Sequence, residues 1–343
     1  MASISRLDRQ SKLRTLLSKS TPRRPLLTHL NADNSWLLSV PIPISASKTL
    51  DNAFYHIIID PWLTSPIVVA TWILTIHHVS EPAFGSIADV ETYVADIEAA
   101  ASNSETSNGK LDAVLVSHRA PDHTNMITLL SINPTVPVFT SPNAFSTVKE
   151  LKHFHNVFQI PDFGKDGIFD WRFRPEPEYP LPPWLGFSRL GEGEKPFELH
   201  FGIMLTYSRD NDETTECIIL SPHGILDKDM KVFETAKSDF NTLAMLHTTK
   251  TSGTLGVEAL RVNLGANHGL RLVRELSPRY WISTHDEPHR ITGVMALVQV
   301  DKAGSVDEAL ELEKAEDEKE AKEGKREKPN FVDVVNGDIF LLD

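Results

Sequence analysis

Short apolar runs alternate with amphipathic stretches along most of the chain. Residues 37–42 and 55–60 are apolar, rich in β-branched side chains and bounded by turn residues, which predicts two strands. Between 87 and 101, Ile87, Val90, Val94, Ile97 and Ala100 recur at spacings of three and four, the period of a helix with one buried face. Residues 102–110 are polar and read as a loop. Residues 111–116 predict a strand buried on both faces, ending abruptly at Ser117. A helix start over 126–130, a strand over 135–139 and a helix over 144–154 continue the alternation, which is that of an α/β layered domain.

The rhythm breaks at 161–196, where seven prolines are interleaved with Phe163, Phe169, Trp171, Phe173, Tyr179, Trp184 and Phe187. Proline at that density excludes a regular helix. The segment reads equally as a lid or pocket wall and as a packed surface excursion. Strands are predicted over 199–207 and 216–220, joined by a turn at 209–213. Helices follow over 257–264 and 269–276, and a strand over 280–283. Residues 305–328 are dominated by Glu and Lys and predict a solvated helix or tail. Residues 331–342 resemble a hairpin turning at Asn336, Gly337 and Asp338.

Composition narrows the class. The chain has 343 residues, 41% of them hydrophobic, enough for one large core. A basic N-terminal tail over 1–24 followed by one domain over 25–343 is the expected organisation. The net charge of −13 argues against a nucleic-acid groove as the main surface and leaves a small-molecule substrate as the expected partner. No apolar run reaches bilayer length, so no membrane span is expected. Cys217, the single cysteine, sits in an apolar run and reads as a buried core thiol. A lone thiol fits a reducing compartment, hence the cytoplasm. The arginine-rich, acid-poor start is also compatible with a mitochondrial transit peptide.

Chemistry concentrates where apolar strands stop. Asp60 follows one such run, Ser117 to His123 another, Ser221-Pro222-His223 a third and Ser283-Thr284-His285 a fourth. Sites in open α/β sheets lie beyond the carboxyl ends of strands. Imidazole and carboxylate are zinc's preferred ligands, and a catalytic zinc uses three protein ligands and keeps one open position. Singly, each residue also has an ordinary reading: Asp60 before Pro61 and His223 before Gly224 as turn residues, His285 as a cap or core-edge histidine. The cluster of His118, Asp122 and His123 is the stronger signal, because one short loop holds two imidazoles and a carboxylate.

That cluster resembles the His-x-His-x-Asp-His signature of the metallo-β-lactamase superfamily. Residues 57–63 resemble its early strand and Asp, in the form of the lactonase-like branches, and Ser283-Thr284-His285 its late histidine. The resemblance runs from about Leu27 to about Leu342. It implies a four-layer αββα sandwich with a metal-dependent hydrolase site. Two positions depart from the pattern. The second signature histidine is Ala120, and the bridging aspartate is His223. The third histidine of that half-site has only His200 nearby, on a strand with apolar neighbours. The resemblance therefore implies one divalent metal in the intact half-site of Asp122, His123 and His285. Zinc is the first choice, with iron and manganese compatible with the same ligands. His223 is then a fourth ligand or an adjacent base, His118 is free to bond water or substrate, and Asp60 orients a ligand imidazole. Asp122, His118 and His223 are the candidate catalytic groups. The expected activity is hydrolysis of an ester, lactone, amide or phosphoester. The alternative is a degenerate binding or scaffold protein that has kept the fold.

Overall fold

Strands whose successive residues are all apolar must bury both faces, and that requirement organises the molecule. The computed structural model describes residues 6–47, 52–102, 109–193, 198–209, 215–257, 260–320 and 327–343. The chain begins with α1 (Arg6–Leu17), β1 (Leu26–His29), β2 (Trp36–Pro41), α2 (Ile44–Ser47) and β3 (Phe54–Ile59). It continues through β4 (Ile67–Ala70), β5 (Leu74–His77), α3 (Ile87–Ser102), β6 (Ala113–Val116), α4 (Met126–Ser131), β7 (Val138–Thr140), α5 (Pro142–Glu150) and β8 (Val157–Gln159). The second half holds β9 (Leu185–Leu190), β10 (Gly202–Tyr207), β11 (Thr215–Ser221), α6 (Asp227–Ala236), β12 (Phe240–His247), β13 (Thr251–Thr254) and β14 (Arg261–Leu264). It closes with α7 (Gly265–Leu276), β15 (Tyr280–Ser283), β16 (Arg290–Thr292), β17 (Gln299–Lys302), α8 (Val306–Lys319), β18 (Phe331–Val332) and β19 (Ile339–Leu341).

A seven-stranded sheet, in the order β19-β1-β2-β3-β6-β7-β8, faces a six-stranded one, β18-β15-β12-β11-β10-β9. Alternate side chains partition into three apolar layers. Ile57 and Ile59 of β3 and Ile218 and Leu220 of β11 meet between the sheets. Phe54 and Ile58 of β3 turn outward onto Leu13 of α1 and Val90, Val94 and Ile97 of α3. Cys217 and Ile219 of β11 turn outward onto Phe233 of α6 and Leu270 and Val273 of α7. The result is helix, sheet, sheet, helix: the αββα sandwich. In the first sheet β3, β6, β7 and β8 run parallel; in the second, β11, β12, β15 and β18 do. Two three-stranded sheets, β14-β13-β17 and β16-β5-β4, supplement the sandwich.

Several sequence-based expectations are corrected. The stretch predicted as a helix over 257–264 ends in strand β14, because its Arg261–Leu264 backbone pairs with β13. The last segment is no hairpin: β18 joins β15 in one sheet and β19 joins β1 in the other, so the turn at Asn336-Gly337 crosses the sandwich. Of the Pro-rich segment, Phe163, Trp171, Tyr179, Leu181 and Trp184 are buried and residues 185–190 form β9, so it packs on the core as an excursion rather than forming a lid. The turn over 209–213 lies largely outside the described residues, as do parts of the 102–110 loop and of the 305–328 segment. Among the described residues no helix is long and apolar enough to cross a membrane.

The basic N-terminal stretch is tied down where described. Gln10 donates to Asp96 of α3 at 3.0 Å. Arg24 is buried, pairing with Glu216 at 2.8 Å and donating to the Leu342 carbonyl at 2.9 Å. Removing one partner of a buried ion pair leaves the other uncompensated, so Arg24→Met should destabilise the chain by about 3–5 kcal/mol in denaturant unfolding. A loss below about 1 kcal/mol, the scale of an exposed pair, would show the pair to be solvated. Cys217 is buried and its thiol is pushed up to about 12 by burial. The native chain should therefore resist thiol reagents at pH 8 and react only on unfolding; fast native labelling would contradict that burial.

Candidate metal centre

Every polar group at the site's centre follows the carboxyl end of a parallel strand. Asp60 follows β3, Ser117 to His123 follow β6, His223 follows β11 and His285 follows β15. The sandwich turns these ends toward one point. Asp60 and His285 both take left-handed backbone, with φ of 44° and 61°. That conformation costs roughly 1–2 kcal/mol in a residue with a Cβ. Backbone bonds hold both residues there, Asp60 N–H to the Leu115 carbonyl at 2.9 Å and His285 N–H to the Asp33 carbonyl at 3.0 Å. Gly224, with φ 112°, turns the chain after His223, where a Cβ would lie 2.5 Å from Leu264 Cδ1.

Three imidazoles share one arrangement. His123 Nδ1 lies 2.8 Å from Asp60 Oδ2, His285 Nδ1 2.9 Å from both Asp33 oxygens, and His223 Nδ1 2.7 Å from Asn263 Oδ1. Each Nδ1–H donates to an oxygen, which leaves the Nε2 lone pair as the free ligand atom. Those Nε2 atoms and Asp122 converge: His123 Nε2 is 3.0 Å from His223 Nε2 and 3.5 Å from Asp122 Oδ2, and His285 Nε2 is 3.3 Å from the same Oδ2. The donors form two overlapping triads, Asp122-His123-His285 and His118-His123-His223, each with its ligand atoms within 4.8 Å of one another.

A tetrahedral ion with bonds of about 2.0–2.1 Å needs donors roughly 3.3 Å apart, the scale of the edges observed. Two imidazole lone pairs facing at 3.0 Å repel unless a cation or proton lies between them. The donor set therefore fits a divalent metal. Without one, a proton takes its place on His123: burial opposes that charge, but Asp122 and Asp60 outweigh burial and raise the imidazole to about 9. His223 and His118 are held well below the usual imidazole range, by burial first and by neighbouring imidazoles second. Asp33 is fully buried; burial opposes its charge, but His285 and His289 hold its carboxyl well below the usual range.

Of the residues expected from the sequence, Asp60, His118, Asp122, His123, His223 and His285 all meet here. His118 differs from expectation in one respect. Its Nε2–H donates to the Leu199 carbonyl at 2.8 Å, its Nδ1 lies 2.8 Å from Ser117 Oγ, and its ring stacks on Phe201 at 4.2 Å. The imidazole expected to be free is bonded on both nitrogens. His200 stands outside the cluster, with Nε2 3.2 Å from the Val262 carbonyl. Asp33, Asn34, Asn263 and His289 belong to the site and were not singled out in the sequence. Asp33 and Asn34 were visible only as turn residues, because the histidine that Asp33 orients lies 252 positions away.

A cavity of about 400 Å³ opens on Asp122, His223 and His285. The two small sheets wall it, Leu74, Ile76 and Ile291 from one and Ser252, Asn263 and Gln299 from the other, and Ala120 also lines it.

Comparison of the sequence with family models and with curated proteins finds no match. Solved structures do match. A possible metal-dependent hydrolase from Veillonella parvula superposes with a TM-score of 0.54 at 14% identity, over 93% of this chain and 99% of that one. The isothiocyanate hydrolase from Delia radicum gut bacteria superposes with a TM-score of 0.51 at 14% identity, over 92% and 98%. The chain has the metallo-β-lactamase fold. Within that fold, the two imidazoles that share Asp122 are each oriented by a buried carboxylate, His123 by Asp60 and His285 by Asp33.

Asp122→Ala and His285→Ala should each remove most of the bound metal, whereas His200→Ala should retain it, measured by elemental analysis after desalting. An empty site in His200→Ala would place a ligand where the structure has a carbonyl-bonded histidine.

Proposed function

We propose that this metallo-β-lactamase-fold chain is a hydrolase dependent on a single divalent metal, zinc in the first instance. Asp122, His123 and His285 would hold the ion, with His223 as a fourth ligand or an adjacent base. One observation carries the reading: three imidazoles each have Nδ1 tied to an oxygen acceptor, while the Nε2 atoms of His123 and His285 lie 3.5 and 3.3 Å from Asp122 Oδ2 and that of His223 lies 3.0 Å from His123 Nε2. Metal-binding histidines are oriented in this way. A divalent ion there supplies Lewis acidity and lowers the pKa of water toward neutrality.

The chain's own groups do the rest. Asp60 and Asp33 keep His123 and His285 in the Nδ1–H tautomer. Asp122 is the one donor in both ligand contact and the cavity wall that carries a carboxylate, so proton transfer to a leaving group falls to it rather than to the bonded His118. The cavity suits a small molecule with an apolar body, and its volume lies within the usual range for such sites. Ester, lactone, amide and phosphoester bonds are the candidate targets. Hydrolysis is also the activity named for both similar structures.

A second reading, a binding protein on a degenerate site, draws support from Ala120 and from the commitment of His118 Nε2 to Leu199. The two readings separate in one preparation. Protein purified without chelator or metal-affinity resin should carry about one metal per chain and hydrolyse members of an ester, lactone, amide and phosphodiester panel. Chelation should abolish turnover and added zinc restore it. Stoichiometric metal with no turnover across the panel would favour the binding protein, and absence of metal would sink both the ion and the hydrolase.

A further inference from the structure

The loop after β12 places Lys250 in the wall of the metal-side cavity, 7% exposed. Its Nζ has one protein partner, the Glu287 carbonyl at 2.8 Å, and forms no ion pair among the described residues. Every acid nearby is committed elsewhere. Asp286 accepts from Thr248, Thr249, Ser283 and the Lys250 backbone. Glu287 accepts from Val79 and Ser80 backbone and faces His78 at 2.8 Å. Asp33 faces His285 and His289.

A buried ammonium without a counter-charge is expensive, and an ammonium has three N–H donors, of which one is used here. The remaining donors belong to a residue lining the same cavity as the metal ligands. We propose that Lys250 recognises a carboxylate on the substrate, the apolar body of which lies against Ile76, Ile291 and Met295. A monoanion is the match. With Asp122 committed to the metal site, Lys250 adds one buried ammonium to walls that also carry Asp301, and a single added negative charge is what that ammonium matches. Arg119 also lines the cavity but is exposed, where its charge is screened by water. The assignment gives the substrate class of the proposed hydrolase, and so rests on that reading for its function though not for the binding itself.

The test uses the full chain with its metal content measured, and three probes of one chain length: octanoate, octyl phosphate and octanamide, titrated calorimetrically. Octanoate should bind the parent protein more tightly than either of the others. Lys250→Met should weaken octanoate about tenfold or more, leave octanamide unchanged and leave metal content unchanged, and Lys250→Arg should recover most of the affinity. Equal octanoate binding by Lys250→Met, or equal losses for octanoate and octanamide, would overturn the assignment, and so would a Lys250-dependent preference for octyl phosphate. Lys250-dependent octanoate binding in a chain without metal would leave the subsite standing and remove the hydrolase. Metal-dependent turnover with Lys250-independent octanoate binding would do the reverse.

Discussion

Two neutral imidazoles cannot face each other through their Nε2 lone pairs at 3.0 Å in a dry interior unless positive charge sits between them. That requirement constrains everything around the site. His123 and His223 touch through their Nε2 atoms at 3.0 Å, so something cationic must lie at that point. The same charge answers a second need. Asp33 and Asp60 are buried beneath the histidines, and buried carboxylates persist only when paired. Each one faces an imidazole, and each imidazole passes the interaction on to the centre. Acid, ring and ion thus form chains in which no member is stable in its observed position without the next.

The sandwich supplies the convergence. A parallel strand delivers its last residue at the same edge as its parallel neighbours, so β3 and β6 deliver Asp60 and the Ser117 to His123 loop together. In the opposite sheet β11, β12 and β15 deliver His223, Lys250 and His285. Two sheets packed face to face bring both sets to one edge. The layer between them, with Ile57, Ile59, Ile218 and Leu220, fixes the spacing that no loop could hold alone. Buried on both faces, these strands resist the slips that would rotate a ligand away by one residue.

What was legible in the sequence follows from the range of the interactions. The β3, β6 and β15 runs and the α3 period are local patterns, and the ligand residues at their ends could be read from position alone. The strand β12 was invisible as a strand, because Leu243, Ala244, Met245 and Leu246 are good helix formers and a continuous apolar run has no period to separate the two states. The hairpin expected at the C-terminus failed for a related reason. Its turn chemistry was real, but which sheet each arm joins is decided by pairing with β15 and β1, far away in sequence. The orienting groups Asp33 and Asn263 were hidden likewise: nothing local distinguishes a turn aspartate from one that holds His285.

The departures at Ala120 and His223 from the signature that the sequence resembles make one physical change rather than two. A pair of divalent cations a few ångströms apart repel, and a shared anionic oxygen offsets that repulsion where a neutral imidazole does not. With His223 where the resembled signature has that carboxylate, a second ion would lack its bridge, and ligands for it would lose their use. Ala120 then offers no donor, and His118 is free to turn its Nε2–H to the Leu199 carbonyl. His223 in exchange faces His123 from the far side of the surviving half-site, with Asn263 fixing its tautomer. Those residues leave Asp122, His123 and His285 as a complete ligand set, with His223 against His123, beside a cavity whose wall includes the buried Lys250.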